Sequence, residues 1–448
     1  MKFHKKTRSG WLPGVGTLLS VWIPALLFGQ QPAGDSILTT ATLENVIQYA
    51  LKHQPLLQQS LIDERITETT IRSKLADWYP QLNFNYILQH NFKIQTAVIG
   101  DNLIKLGVNN TSAAQFNLTQ HLFDRDALLA SRTAGKVRRA SQQATTGTRI
   151  EVVVNAVKAF YDVLTSAQQI KVAGENIMRL QRSVKDATSR YKTGITDKTD
   201  YKRATIALNN AIAEKKNNEE LLKAKTEFLK AVIGYPTGSD LVIVYDSLQM
   251  ETESMLDTLQ SINYDNRIEY QLLQTRKQLY EANVKYNKWA YLPSVSATGA
   301  YNFNFQNNQF SKLYSTNYPN SYAALVLSFP IFQGGKRKAE IGQSEWQLKR
   351  LEWDIINLRN NINAEYARAL AAYKSYLAYY AAIKENLDLA KEVYDVIQLQ
   401  YQSGLKTYLE VITAETDLRT ARINYYNTLY QLLAGKIDVQ RALGQINY

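Results

Sequence analysis

The chain has 448 residues, 21% of them charged, a net charge of +12 and no cysteine. That length predicts two domains rather than one core. The missing cysteines exclude disulfides, thiolate chemistry, zinc–cysteine sites and an acylated cysteine anchor.

Residues 1–29 read as a secretory signal. Lys2, Lys5, Lys6 and Arg8 form its basic start, Val15 to Phe28 its apolar stretch, and the exit falls near Gly29. The stretch is short for a membrane anchor, and no further run of about 18 apolar residues follows it. Removing the four basic residues lowers the net charge from +12 to +8. A basic balance is one mark of nucleic-acid binding, but an exported chain rarely meets nucleic acid. A solvated, lysine-rich helix surface accounts for the charge.

The rest of the chain is written twice. Trp78-Tyr79-Pro80-Gln81-Leu82 returns as Ala290-Tyr291-Leu292-Pro293-Ser294-Val295, and Leu122-Phe123-Asp124 as Ile331-Phe332-Gln333. Glu175-Asn176 returns as Glu385-Asn386, Tyr191-Lys192-Thr193-Gly194-Ile195 as Tyr401-Gln402-Ser403-Gly404-Leu405, and Ile233-Gly234 as Leu443-Gly444. Five anchors in one order at nearly one offset predict two structural repeats, 30–234 and 264–448. Residues 235–263, with Pro236 and Gly238, form the linker.

Within each repeat a helix is shut off at Pro80 or Pro293. Two strands follow, over ~81–92 and ~111–123 in the first repeat and ~294–306 and ~321–332 in the second, each with a period of two. Leu82, Phe84, Tyr86 and Leu88 share one face; so do Phe116 and Leu118; so do Val295, Ala297, Tyr301, Phe303 and Phe305; so do Ala323, Leu325, Leu327 and Phe329. The opposite faces carry Asn83, Asn85, Gln115, Asn117, Asn302 and Asn304. About ten residues with one apolar face suit a transmembrane barrel strand. A soluble hairpin alternates too, but it needs a cover, and the helices here are committed to one another. The loops at ~93–110 and ~307–319 are rich in Asn, Ser and Gly, as suits the outer side of such a barrel.

A very long helix, a short glycine turn and a second long helix complete each repeat. Leu409, Ile412, Thr416, Arg419, Ile423, Tyr426, Tyr430, Leu433 and Ile437 repeat at alternating steps of three and four. Ile355, Leu358, Ile362, Glu365, Ala369, Ala372, Tyr376, Tyr379 and Ile383 do the same. Such seams predict helices packed side by side as coiled coils. One helix over 124–190 is about 100 Å long, which suits a tube or a spacer.

Four strands cannot close a barrel, and an open edge in lipid costs several kcal/mol per unpaired backbone group. Two copies make an eight-stranded barrel filled by side chains; three make twelve strands and a lumen.

The two-fold repeat, the proline-led strands, the corner Phe329-Pro330-Ile331-Phe332-Gln333-Gly334-Gly335-Lys336 and the turn Tyr401-Gln402-Ser403-Gly404-Leu405 before Tyr408-Leu409-Glu410-Val411 resemble the TolC-type outer membrane efflux protein family. The resemblance implies a homotrimer with a 12-stranded barrel and an α-helical periplasmic tunnel. Its partners would be a periplasmic adaptor, an inner-membrane transporter and outer-membrane lipid, with no cofactor. The implied activity is a passive exit duct for efflux or type I secretion.

The same resemblance implies two sets of sites. The tips Thr193, Gly194, Ile195 and Ser403, Gly404, Leu405 would meet the adaptor; the glycines also read simply as helix ends. Tyr401, Lys406 and Glu410 would form the channel gate. Lysine at 406 loses the bidentate pairing of an arginine, and the acid expected three residues beyond Glu410 is Thr413. The first-repeat acid falls at Lys185, beside Asp186. Thr407-x-x-Glu410 is also a capping box.

Tyr301, Tyr314, Tyr318 and Tyr322 are candidates for an interfacial belt, and Lys336, Arg337 and Lys338 for contact with lipid phosphate. No catalytic or nucleotide fingerprint is present, and no histidines pair at metal-ligand spacing. A secreted coiled-coil rod without a pore is the alternative, and the strands discriminate: a duct needs all four, a rod none.

Overall fold

The computed structural model describes residues 38, 40–195, 197–244 and 247–446. The signal expected at 1–29 lies outside them.

Helix α1 (Leu43–His53) is capped by the Thr42 hydroxyl. Gln54 interrupts it in extended backbone, and Pro55 restarts α2 (Pro55–Leu75) at the one helical position where a missing N–H is harmless. Both α2 and α6 (Ile268–Lys288) run out through a single 3₁₀ turn into an extended residue, Tyr79 or Leu292. The prolines that follow forbid a further helical turn.

The strands β1 (Gln81–His90), β4 (Asn110–Phe123), β5 (Ser294–Asn307) and β6 (Asn320–Ser328) form one antiparallel sheet in the order β1-β4-β5-β6. The register puts Phe84 beside Phe116 and Phe116 beside Tyr301, and aligns Val295 with Leu327 and Ala297 with Leu325. All four apolar faces therefore merge into one. A bulge between His121 and Phe123 brings Phe123 rather than Leu122 opposite Val295. Among the described residues no helix is long and apolar enough to cross a membrane.

The segment between β1 and β4 differs from a purely polar loop. It carries a second hairpin, β2 (Thr96–Ile99) and β3 (Asn102–Lys105), with Val98 and Leu103 exposed. Gly100 at φ +65° makes its turn. Too short for periodicity to reveal, it rests on β-branched residues around Gly100-Asp101.

Helices α3 (Arg125–Lys192, 68 residues) and α7 (Lys336–Gln402, 67 residues) run about 100 Å each. Asp124 starts α3 by accepting from the N–H groups of Asp126 (2.8 Å) and Ala127 (3.0 Å). Helices α4 (Lys198–Ile233) and α8 (Tyr408–Leu443) return along them. Each ends in a left-handed glycine, Gly234 at φ +73° and Gly444 at φ +71°. A Cβ on Gly234 would lie 2.5 Å from the His53 carbonyl oxygen, and one on Gly444 2.6 Å from that of Asn266. So α4 abuts the start of α2, and α8 abuts the start of α6, without a covalent join. The layer runs α2 with α4, then α3, then α6 with α8, then α7.

Heptad spacing reads the α8 seam one residue late. The buried stripe is Tyr408, Val411, Glu415, Leu418, Tyr425, Leu429, Leu432, Val439 and Leu443; of the expected seam Leu433 is buried too, while Leu409 is exposed. On α7 the expected seam holds through Ile355, Ile362 and Ala369, moves to Tyr373 and Tyr380, leaving Tyr379 exposed, and is met again at Ile383, which is buried. Each helix packs against two partners, so the flank facing the second partner is also apolar and mimics a seam. The polar entries of these seams are paired: Arg419 with Glu214, and Glu365 with both Arg267 and Arg441.

The stretch after α4 straps the helices together. Its α5 (Ser247–Glu253) supplies Glu251, which pairs with Lys384 at 2.7 Å and accepts from the Tyr425 hydroxyl. Burial pushes the Glu251 carboxyl up, but Lys384 and the Tyr425 and Tyr380 hydroxyls together hold it below its ordinary value. The Tyr373 hydroxyl donates to the Ser254 carbonyl at 3.0 Å.

Candidate functional site at the hairpin tips and the membrane sheet

The two helical turns have one geometry. In the first, Gly194 N–H donates to the Tyr191 carbonyl (3.1 Å) and Ile195 N–H to that of Arg190 (2.9 Å). In the second, Gly404 N–H donates to Tyr401 (3.0 Å) and Leu405 N–H to Gln400 (2.9 Å). Both glycines have positive φ, and a Cβ added to either would meet nothing within 4 Å, so they end their helices and leave bare surface beside them. Thr193 and Ser403 cap back onto their own helices, and Ile195 and Leu405 are 69% and 76% exposed.

The tips stand together. Ala187, Ala204, Tyr401, Tyr408 and Val411 form a buried cluster flanked by Val184, Tyr201, Ile397 and Ile412. Tyr401 is 5% exposed, its hydroxyl has no hydrogen-bond partner among the described residues, and burial pushes its phenol up, opposed by Arg190 and assisted by Asp200 and Asp186. Tyr401 is therefore not brought to Lys406 and Glu410. An exposed bridging phenol, as the gate expectation has it, does not fit this conformation. The residue packs inward because its ring fills the gap between the two hairpins.

Lys406 and Glu410 do meet, at 2.6 Å, one turn apart. The Glu410 carboxylate also accepts from the Thr407 N–H (2.9 Å) and hydroxyl (3.0 Å), and the Thr407 hydroxyl accepts from the Glu410 N–H. Capping box and ion pair thus coexist. The Lys406 hydrogen bond, followed by the two from Thr407, pulls this carboxyl down to about 2. The cap's stabilising contribution is thus complete above the ordinary value of 4.5 and is lost as the pH falls through about 2. A carbon-13 titration of Glu410 should have its midpoint near 2; an ordinary carboxylate midpoint would mean the pair does not form in solution.

No motif singles out Arg190. Its guanidinium sits 4.5 Å from the centre of the Tyr401 ring and donates to the carbonyls of Tyr401 (3.3 Å) and Gln402 (3.4 Å). It satisfies orphan carbonyls at the end of α7, where a cation is favoured. The sequence does carry a signal: repeat one has Arg190 where repeat two has Gln400. Further along, α8 is tied to α3 by Glu415 and Arg179 at 3.1 Å. Burial pushes the Glu415 carboxyl up against the opposing effect of Arg179.

At the other end, Tyr301 lies on the apolar face, and the Tyr314 hydroxyl meets that of Tyr86 at 2.7 Å. Tyr322 pairs with Ala300, and the Tyr318 N–H donates to the Asn304 carbonyl, so both fall on the amide face and outside any lipid-facing belt. Arg337 is buried against the Tyr291 ring (4.8 Å), donating to the Gln333 side chain (3.2 Å) and the Pro330 carbonyl. It latches the corner rather than facing lipid phosphate.

Residues 46–235 and 266–445 match the family described as outer membrane efflux protein. The chain belongs to the outer membrane efflux protein family. Within that family it is 22% identical to outer membrane protein TolC of Escherichia coli, over 94% of this chain and 86% of TolC. It is also 22% identical to the cation efflux system protein CusC of the same organism, over 90% and 86%. Its fold matches solved CusC with a TM-score of 0.73 (18% identity, 93% and 95% covered). It matches VceC of Vibrio cholerae with a TM-score of 0.70 (15% identity, 90% and 96% covered). This efflux protein is an outer-membrane exit duct, with a short membrane sheet and long helices.

Proposed function

We propose that three copies of this efflux protein share one twelve-stranded barrel and one helical tunnel. The observation that carries this is the sheet: one merged apolar face and two unpaired edges, β1 and β6. An edge of this kind is tolerated in lipid only if another strand closes it. The helix layer is open in the same sense. Its α7 edge exposes Trp346, Trp353, Val393 and Val396; its α2 and α4 edge exposes Ile62, Ile66, Ile206 and Phe228. One copy's α7 edge against the next copy's α2 and α4 edge buries both. The native mass of protein extracted from outer membranes in mild detergent should equal three chains; a folded single-chain mass overturns the shared barrel.

The repeats 30–234 and 264–448 then supply equivalent halves of each copy's share of the wall, joined by the strap at 235–263. The tips Thr193, Gly194, Ile195 and Ser403, Gly404, Leu405 are the adaptor-docking surface, supported by their exposed apolar residues beside bare glycine turns. A periplasmic adaptor and an inner-membrane transporter deliver cargo there. Lys406 and Glu410 form the gate, with Tyr401 as the packing residue that fixes the tip. In planar bilayers Lys406→Ala combined with Glu410→Ala should raise single-channel conductance several-fold, whereas Tyr401→Phe, which removes a hydroxyl with no partner, should leave it unchanged. An unaltered double variant would remove the gate from this pair.

A further inference from the structure

We infer that the barrel passage is lined by neutral amides and does not sort cargo by charge; this deepens the duct reading and rests on it. The four strands β1, β4, β5 and β6 contain no Asp, Glu, Lys or Arg on either face, in a chain that is 21% charged. Exclusion of charge from the lipid face is expected. Its exclusion from the opposite, water-facing side is not required by the membrane.

What replaces charge is an ordered band. The register aligns Asn85 with Gln115, Gln115 with Asn302 and Asn302 with Asn320, one amide on every strand across the whole sheet. The Asn302 amide donates to the Asn320 side-chain oxygen at 2.7 Å. In the next row Asn83 pairs with Asn117. On the two inner strands these amides are half-buried while their neighbours Phe116, Leu118, Tyr301 and Phe303 are exposed, so the sheet curls toward the amides. The concave side is the lumen side. Each primary amide offers both donors and an acceptor and carries no net charge. Such a wall hydrogen-bonds to uncharged, cationic and anionic polar groups alike. The cargo class that fits is therefore amphipathic solutes without regard to charge sign, and discrimination between ions falls to the helical tips.

The absence of cysteine from the sequence makes the test direct. In the assembled full-length protein, Asn302→Cys and Asn85→Cys should react with cationic and anionic methanethiosulfonate reagents at equal rates, each normalised to a free thiol. Phe303→Cys, on the lipid side, should react with neither. A normalised rate ratio of about tenfold or more in either direction means a charged lumen and overturns the inference, because tenfold corresponds to a sizeable local potential. Inert thiols at 302 and 85, or a reactive one at 303, overturn the placement of the band. Failure of all three variants, and of the parent, to yield a membrane-inserted trimer defeats the duct reading itself and is scored by native mass before any thiol is probed. As a second readout, Asn302→Asp should shift the potassium-to-chloride permeability ratio toward potassium by several-fold, and Asn302→Lys the opposite way; unchanged ratios in both overturn the band as the conducting wall.

Discussion

Leu325→Arg should prevent assembly, while Val326→Arg one residue along the same strand should be tolerated. Leu325 aligns with Ala297 on the apolar face and is 69% exposed, with no protein to cover it. An arginine at the middle of a lipid-facing band costs about 2–4 kcal/mol. In the proposed trimer three copies carry the cost together, which is of the order of a domain's whole stability. Val326 aligns with Ser296 on the amide face, where a charge meets water. The measurement is the amount of heat-resistant oligomer recovered from outer membranes. Equal recovery of the two variants would mean that the sheet has no lipid side, and the rod without a pore would then be the better account.

Gly444→Ala is the second large effect. The new Cβ lies 2.6 Å from the Asn266 carbonyl oxygen in a backbone at φ +71°, so strain and collision add. Left-handed backbone alone costs a non-glycine residue about 1–2 kcal/mol. The collision is with backbone, which cannot rotate away, and the total should reach about 3 kcal/mol or more. Two other glycines separate the contributions. Gly404→Ala has the same φ sign in open space and should show the strain alone. Gly342→Ala, inside α7 where an added Cβ meets nothing within 4 Å beyond its own helix backbone, should stabilise by about 0.5–1 kcal/mol. Urea unfolding in detergent gives the order. If Gly444→Ala costs no more than Gly404→Ala, the butt joint between α8 and α6 does not persist in solution. Gly234→Ala should behave as Gly444→Ala does.

The first effect depends on a feature legible in the sequence for a clear physical reason, whereas the collision behind the second arises only where the fold brings Asn266 against Gly444. Alternation in Leu82 to Leu88 and Leu325 to Phe329 is a period of two, and it sorts faces unambiguously because a strand has only two. Pro80 and Pro293 stop helices for a covalent reason, and Gly194 and Gly404 sit where the backbone turns left-handed. The phase of the helical seams was not legible to one residue. Where a helix touches α7 on one side and α3 on the other, two apolar stripes overlap, and Leu409 is indistinguishable from Tyr408 by spacing. The belt tyrosines failed at Tyr318 and Tyr322 because face assignment needs the strand register, which only pairing supplies. Of the contacts expected around Tyr401, Lys406 and Glu410, one was legible. Lys406 and Glu410 are one helical turn apart and must meet, whereas the inward packing of Tyr401 depends on Ala187 and Ala204, which belong to the other hairpin. Arg190 was hidden for the same reason: its targets are carbonyls of the second hairpin, which no side-chain motif records.

The uncharged strands also bear on the life of this protein before it reaches the membrane. Segments with high β-propensity and no charge are the ones that stack into aggregates, and soluble chains interrupt them with charged gatekeepers. Here β1, β4, β5 and β6 carry none, and the nearest charges stand outside them: Asp77 and Lys93 around β1, Lys105 and Asp124 around β4, Lys288 and Lys312 around β5, and Lys312 and Lys336 around β6. During its crossing of an aqueous compartment the unfolded chain therefore relies on flanking helices and on amide hydration to stay dispersed. A neutral wall in the finished duct is thus also a hazard in transit, and the journey to the membrane is the stage at which this chain most needs an escort.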